Sequence, residues 1–243
     1  MKTSHPLSLL ILLGSCAPAF AQMSTEICGS LRNGFGPFDY RADHQKPSSL
    51  PISYTEKRIL VEGAHFTARV EALIGSESNE RKGTAGADID YTLRAFPNNH
   101  RALIAMMGLG EKERTDKPVG TKWTVECYFE RAIRFAADDP IVRIIYATLL
   151  AKKKREPEAL EQLDQASKLA ENAGFTHHNV GLVLFDLKQY DKALLSAHRA
   201  LANGFTRPDL SDKLKAVNQW REPVAELGTQ AAPAASAAEV AKP

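Results

Sequence analysis

From about Ala64 to Arg221 the apolar residues recur at intervals of three and four positions, the period of a helix with one buried face. Short polar breaks such as Pro97-Asn98-Asn99 and Asp138-Asp139-Pro140 interrupt this pattern and predict a succession of helices joined by tight turns. Upstream the pattern is different. Residues 22–63 are rich in Gly, Pro, Ser and aromatic side chains, as in Gly34-Phe35-Gly36-Pro37-Phe38-Asp39-Tyr40, and carry no sustained 3.6-residue period. They are expected to be extended or turn-like, with helices nucleating poorly. From Pro223 to the end the chain is an Ala, Pro and Ser tract almost without large apolar side chains, which cannot bury enough surface to offset its ordering entropy, so 223–243 is expected to be disordered.

The helical zone repeats itself. Tyr146-Ala147 matches Val180-Gly181, Leu150 matches Leu184, Ala159-Leu160 matches Ala193-Leu194, and Ala166 matches Ala200, each pair 34 residues apart. A fixed period of this length predicts stacked helical hairpins. The stretch Asn179-Val180-Gly181 with Tyr190, Ala193-Leu194 and Ala200-Leu201 resembles a tetratricopeptide repeat. Val125, Phe129 and Ala132 stand one period before Ala159, Leu163 and Ala166. Further upstream the offset becomes 40, with the extra residues in the charged stretch 110–118, an enlarged turn. The resemblance thus divides the chain into repeats at 64–97, 98–137, 140–171 and 174–207. It implies an all-α, right-handed α-solenoid of about four helix pairs within a 64–222 domain.

Packing gives the pattern its physical reason. Ala147 and Gly181 fall where the two helices of a pair cross, and Ala166 and Ala200 where one pair meets the next; small side chains permit the close approach of helix axes. Leu210, Leu214, Val217 and Trp220 form the stripe expected of a terminal capping helix at 208–221. In solenoids of this family the first helices of successive pairs line a concave groove. The register then places Ile104, Ile144, Thr148, Lys152, His178, Asn179, Leu182 and Asp186 on that groove. Asn179 matches an asparagine that peptide-binding members use to hold the ligand backbone. Ile144 and His178 stand where carboxylate-clamping members carry lysine, so the resemblance does not extend to capture of a free peptide C-terminus. A mixed apolar and polar groove suits an extended segment or a helix.

The N-terminus adds an address. Lys2, the apolar run Leu7 to Leu13 and the small-x-small triplet Ala19-Phe20-Ala21 read as a secretory signal peptide over 1–21, cut before Gln22. A competing reading takes Leu13-Gly14-Ser15-Cys16 as a lipobox, which would make Cys16 a lipid anchor. The apolar core is far shorter than the roughly 20 residues of a membrane span. An exported, periplasmic or secreted chain follows. In an oxidising compartment Cys28 and Cys127 can pair across a long loop, or remain two thiols; their separation offers neither metal spacing nor a CxxC motif.

Composition narrows the range of jobs. The 243 residues hold 44% hydrophobic and 25% charged side chains, ordinary for a folded domain. Thirty-one Lys and Arg against 29 Asp and Glu leave +2, too little to point to nucleic acid or an anionic membrane. There is no Gly-x-Ser-x-Gly, P-loop, GxGxxG or His-Glu-x-x-His motif. His177 aligns with a core position, His178 with the groove and His198 with the surface. The run Lys152-Lys153-Lys154-Arg155 reads as a solvated helix end, where cations favour exposed carbonyls. Phe35, Phe38 and Tyr40 read as an N-terminal cap over an open apolar end, or as a partner-binding segment. The function expected is a non-enzymatic exported scaffold or adaptor, without cofactor or metal, holding a protein or peptide in its groove, with envelope assembly or secretion as the context the family resemblance implies. The alternative is a metal-binding protein or enzyme built from the N-terminal segment and the histidines.

Overall fold

The computed structural model describes residues 28–44, 54–78 and 81–223. The expected leader with Cys16, and all of the expected tail after Pro223, lie outside these residues. The chain divides into two compact units between Leu149 and Leu150. The described chain is mainly helical, with one short antiparallel ribbon, an irregular stretch near its start and an eleven-residue connection at 114–124.

The first unit opens with an irregular strap from Cys28, ending in a 3-10 turn, Tyr40–His44. Then come α1 (Tyr54–His65), the four-residue α2 (Ala68–Glu71), the ribbon β1 (Ser76–Ser78) and β2 (Arg81–Gly83), α3 (Ala85–Ala95), α4 (His100–Glu113) and α5 (Val125–Phe135). The ribbon pairs Ser76 with Gly83 and Ser78 with Arg81. Helix α6 (Pro140–Lys152) carries the junction between the units. The second unit continues with α7 (Glu156–Leu169), α8 (Gly174–Asp186), α9 (Tyr190–Ala202) and α10 (Asp209–Ala216).

Helix starts are set by short polar side chains that accept an otherwise unpaired amide. The Thr84, Asn99 and Thr124 side chains accept from Ala87, Ala102 and Cys127 N–H respectively, opening α3, α4 and α5. Helix ends are equally regular. Lys154 N–H donates to the Ala151 carbonyl and Arg155 N–H to that of Leu150; 34 residues later Lys188 donates to Phe185 and Gln189 to Leu184. Forty residues earlier Arg114 donates to Glu111 and Thr115 to Gly110. Each is the paired closure of a Schellman motif. Arg114, Lys154 and Lys188 accordingly hold left-handed φ values of 53°, 59° and 60°. The closures after α4, α6 and α8 thus stand at the offsets of 40 and 34 seen in the apolar pattern, while the same closure also follows α2 at Leu73, α9 at Gly204 and α10 at Asn218.

Two features depart from the sequence expectation. Helix α1 lies inside the 22–63 stretch expected to be irregular. It forms because Val61, 3% exposed, packs with Ala95 and Phe96 against Phe35, Phe38, Tyr40 and Tyr91. That gain is tertiary and leaves no 3.6-residue signature. Likewise 64–97 is not a simple helix pair, because α2, the ribbon and α3 divide it. In the second unit Gly181 sits at a crossing: a Cβ there would lie 2.4 Å from Leu210 Cδ2 and 3.2 Å from Ser196 Cβ.

Candidate binding cleft

Within the second unit α7 and α9 flank an open cleft of about 270 Å3 whose floor is α8. Leu160, Leu163, Asp164 and Ser167 face it from α7, and Val180 and Leu184 from α8. Lys192, Leu195, Ser196 and Arg199 face it from α9. Small residues are buried on both flanking helices: Ala159, Ala166, Ala193 and Ala200 are each at most 2% exposed. Beside them Leu195 is half in solvent, at 50% exposure. Leu195 borders the cleft with apolar surface that the fold does not cover. Arg199 Nη1 donates to Ser167 Oγ at 3.2 Å, and Lys168 Nζ lies 2.7 Å from Asp164 Oδ2.

None of the eight residues assigned to the groove by register lines this cleft, and their environments diverge. In the first unit Ile104 is 51% exposed while Ile144 is 7% exposed, so the two do not share a surface role. The Thr148 hydroxyl donates to the Ile144 carbonyl at 3.0 Å. In the second unit Lys152 and Asp186 are exposed and Leu182 is half-buried. The Asn179 amide donates to the Phe175 carbonyl of its own helix at 2.8 Å. Asp186 Oδ1 lies 3.7 Å from Lys213 Nζ.

His178 departs most from a groove position. It is buried, with its ring 4.8 Å from Phe205 and Nε2 2.9 Å from Asp209 Oδ1 at the start of α10. Burial pushes the Asp209 carboxyl up, but His178 outweighs it and the net direction is down. Register places His178 on the first-helix face; α10 covers it. His177 is also buried, Nε2 2.8 Å from the Glu171 carbonyl oxygen. His198 Nε2 meets the Arg221 carbonyl at 2.8 Å.

The first unit concentrates its polar groups beneath the strap. Cys28 and Cys127 are joined by a disulfide, with Cα atoms 5.1 Å apart. Arg131, 1% exposed, donates through Nη1 to the carbonyls of Cys28, Gly29 and Ser30, and its guanidinium lies 3.7 Å from the Trp123 ring centre. Burial lowers this guanidinium to a pKa of about 10. Further along, Phe38 N–H donates to the Ala95 carbonyl, and Phe38 packs its ring 5.5 Å from Phe96. Asn98 donates to Asp39 and Asp139 and accepts from Tyr40 N–H. Arg41 bridges Asp39 and Asp138. Burial raises the Asp39 carboxyl, but hydrogen bonds from Arg41 and Asn98 outweigh it and hold the group at about 2.

His100 Nε2 lies 2.9 Å from Asp139 Oδ2 in this network. A carboxylate orienting an imidazole is a common element of general-base sites. Here the same carboxylate also caps α6, accepting from Ile141 N–H, and receives Asn98, so its contacts tie turns and strap together. Among the described residues no group of three or more His, Cys, Asp or Glu side chains is placed to hold a metal ion. No described helix is long and apolar enough to cross a membrane. No protein-family model matches the chain, and comparison with curated proteins finds none that is similar.

Proposed function

We propose that this chain is an exported, tetratricopeptide-like helical scaffold that holds a protein or peptide partner on its repeat surface, in envelope assembly or secretion, and is not an enzyme. The observation carrying this reading is the cleft between α7 and α9, an uncovered apolar surface rimmed by charged side chains on successive helical hairpins. Such a surface suits an amphipathic segment. The recurrence of one backbone closure at Arg114, Lys154 and Lys188 supports the repeat architecture. The Cys28–Cys127 disulfide supports export, since such bonds persist in oxidising compartments.

Two measurements test it. Capture of envelope proteins by the tagged full chain should weaken for Leu195→Asp and persist for the Asn179→Ala, Leu182→Ala double variant. Loss only in the double variant would return the site to the groove of first helices; full retention in both would move it to the aromatic strap. Intact mass of the exported protein should correspond to a start at Gln22. An acylated Cys16 would establish a lipid-anchored form instead.

A further inference from the structure

We infer that the α7–α9 cleft selects an acidic amphipathic helix, one that inserts an apolar side chain beside Leu195 and sets carboxylates against Lys192 and Arg199. This rests on the reading of the chain as a binding scaffold and names its partner's chemistry. Lys192, Leu195 and Arg199 follow one another at i, i+3 and i+7, so they form a single stripe along α9, with the two cations about 10 Å apart along the axis at the helical rise per residue. All three border the cleft. A helix laid beside α9 presents complementary groups at the same spacing.

Charge decides the sign of the partner. Among the described residues neither Lys192 nor Arg199 meets a carboxylate within ion-pair distance; Arg199 has only the Ser167 hydroxyl, which fixes its position across the cleft. The one carboxylate lining the cleft, Asp164, lies on the opposite wall and is engaged by Lys168 on its own helix. The carboxylate that lines the α7 wall is thus paired on its own helix, and the α9 wall carries two cations with no carboxylate within ion-pair distance among the described residues. Leu160, Leu163 and Leu184 supply the apolar lining for the anchor between them. A basic or uncharged helix would gain the apolar contact and lose the electrostatic one.

The test uses the full chain and three fluorescent helical peptides of one amphipathic design, with two leucine anchors flanked at i−3 and i+4 by Glu, Gln or Lys. Anisotropy titrations should give the Glu peptide about fivefold tighter binding than the Gln peptide, the scale of two solvent-exposed ion pairs, with the Lys peptide weakest. The preference should shrink between about 50 and 500 mM salt, where screening shortens the reach of exposed charges. In the Lys192→Gln, Arg199→Gln variant the Glu and Gln peptides should bind equally, and Leu195→Ala should weaken both. Equal binding to the unaltered chain, a Glu preference that survives the double substitution, or no binding by any peptide would overturn the inference. Undiminished envelope capture by the charge variant would do so too, while leaving the scaffold reading intact; loss of capture by Leu195→Asp alone would separate the two. Circular dichroism matched to the unaltered chain keeps unfolding from being counted as lost binding.

Discussion

The two units are stabilised by different means. The second repeats a local rule: a small residue where helices cross at Gly181, and Ala159, Ala166, Ala193 and Ala200 buried at 34-residue and seven-residue spacings along α7 and α9. The first depends on a non-repeating strap whose hydrogen bonds and disulfide reach partners 57 to 105 residues away in sequence, including a buried guanidinium and a polar network at two turns. A repeated rule tolerates change at any one copy better than a single strap tolerates loss of an anchor. Distant anchors also stabilise more, because each closes a longer loop of the unfolded chain.

The largest expected separation between the units comes from reducing the disulfide or substituting Cys28→Ser. The loss should be about 2–5 kcal/mol in urea unfolding, registered by hydrogen exchange in α3 and α5 and not in α8 and α9. Equal loss in both units would erase the contrast. Next, Arg131→Met should cost about 2–3 kcal/mol, since it removes charged hydrogen bonds to the carbonyls of Cys28, Gly29 and Ser30. An unchanged melting midpoint would show that the strap stands without this clamp. In the second unit Gly181→Leu should cost about 1–3 kcal/mol through overpacking against Leu210 and Ser196. Retained thermal stability would place the helix crossing elsewhere.

Smaller effects sharpen the same contrast. Lys188→Gly should stabilise the second unit by up to about 1 kcal/mol by relieving a left-handed backbone at φ 60°. The gain would appear as a raised denaturant midpoint with unchanged slope. Finally, Asp39 is held below its ordinary 3.8, at about 2, so its contribution is complete above about pH 4 and falls away as pH drops toward 2. With a third of the side chain exposed, this is worth about 1 kcal/mol or less, read as the difference in acid titration between the unaltered chain and Asp39→Asn.

Periodicity made the regular part legible. The 34-residue spacing of Ala159 and Ala193, and of Leu150 and Leu184, marks the helices at 140–202 because each repeats a packing requirement. What depends on unlike partners was not legible. Helix α1 forms against the strap and carries no periodic signal, and Arg131 occupies a helical position that reads as surface until three carbonyls arrive above it. Lysine at 154 and 188 hides a closure usually marked by glycine. The cleft is a product of the spacing between α7 and α9 over α8, so Lys192, Leu195 and Arg199 read as ordinary members of a second helix. His178 shows the reverse error, where register assigned an outward role and the α10 cap turned the position inward.

The disulfide also determines how the protein bears force. Cys28 lies at the start of the described chain and bonds to a helix 99 residues further on, so a pull applied from the N-terminal side passes directly into α5. The strap, α1 to α4 and the ribbon hang within a closed loop and carry no tension. That loop shields about 330 Å of extensible contour, given the reach of an extended residue. A protein anchored or threaded by its N-terminus would therefore transmit load to α5 and the helices beyond it while its first helices stayed folded and slack.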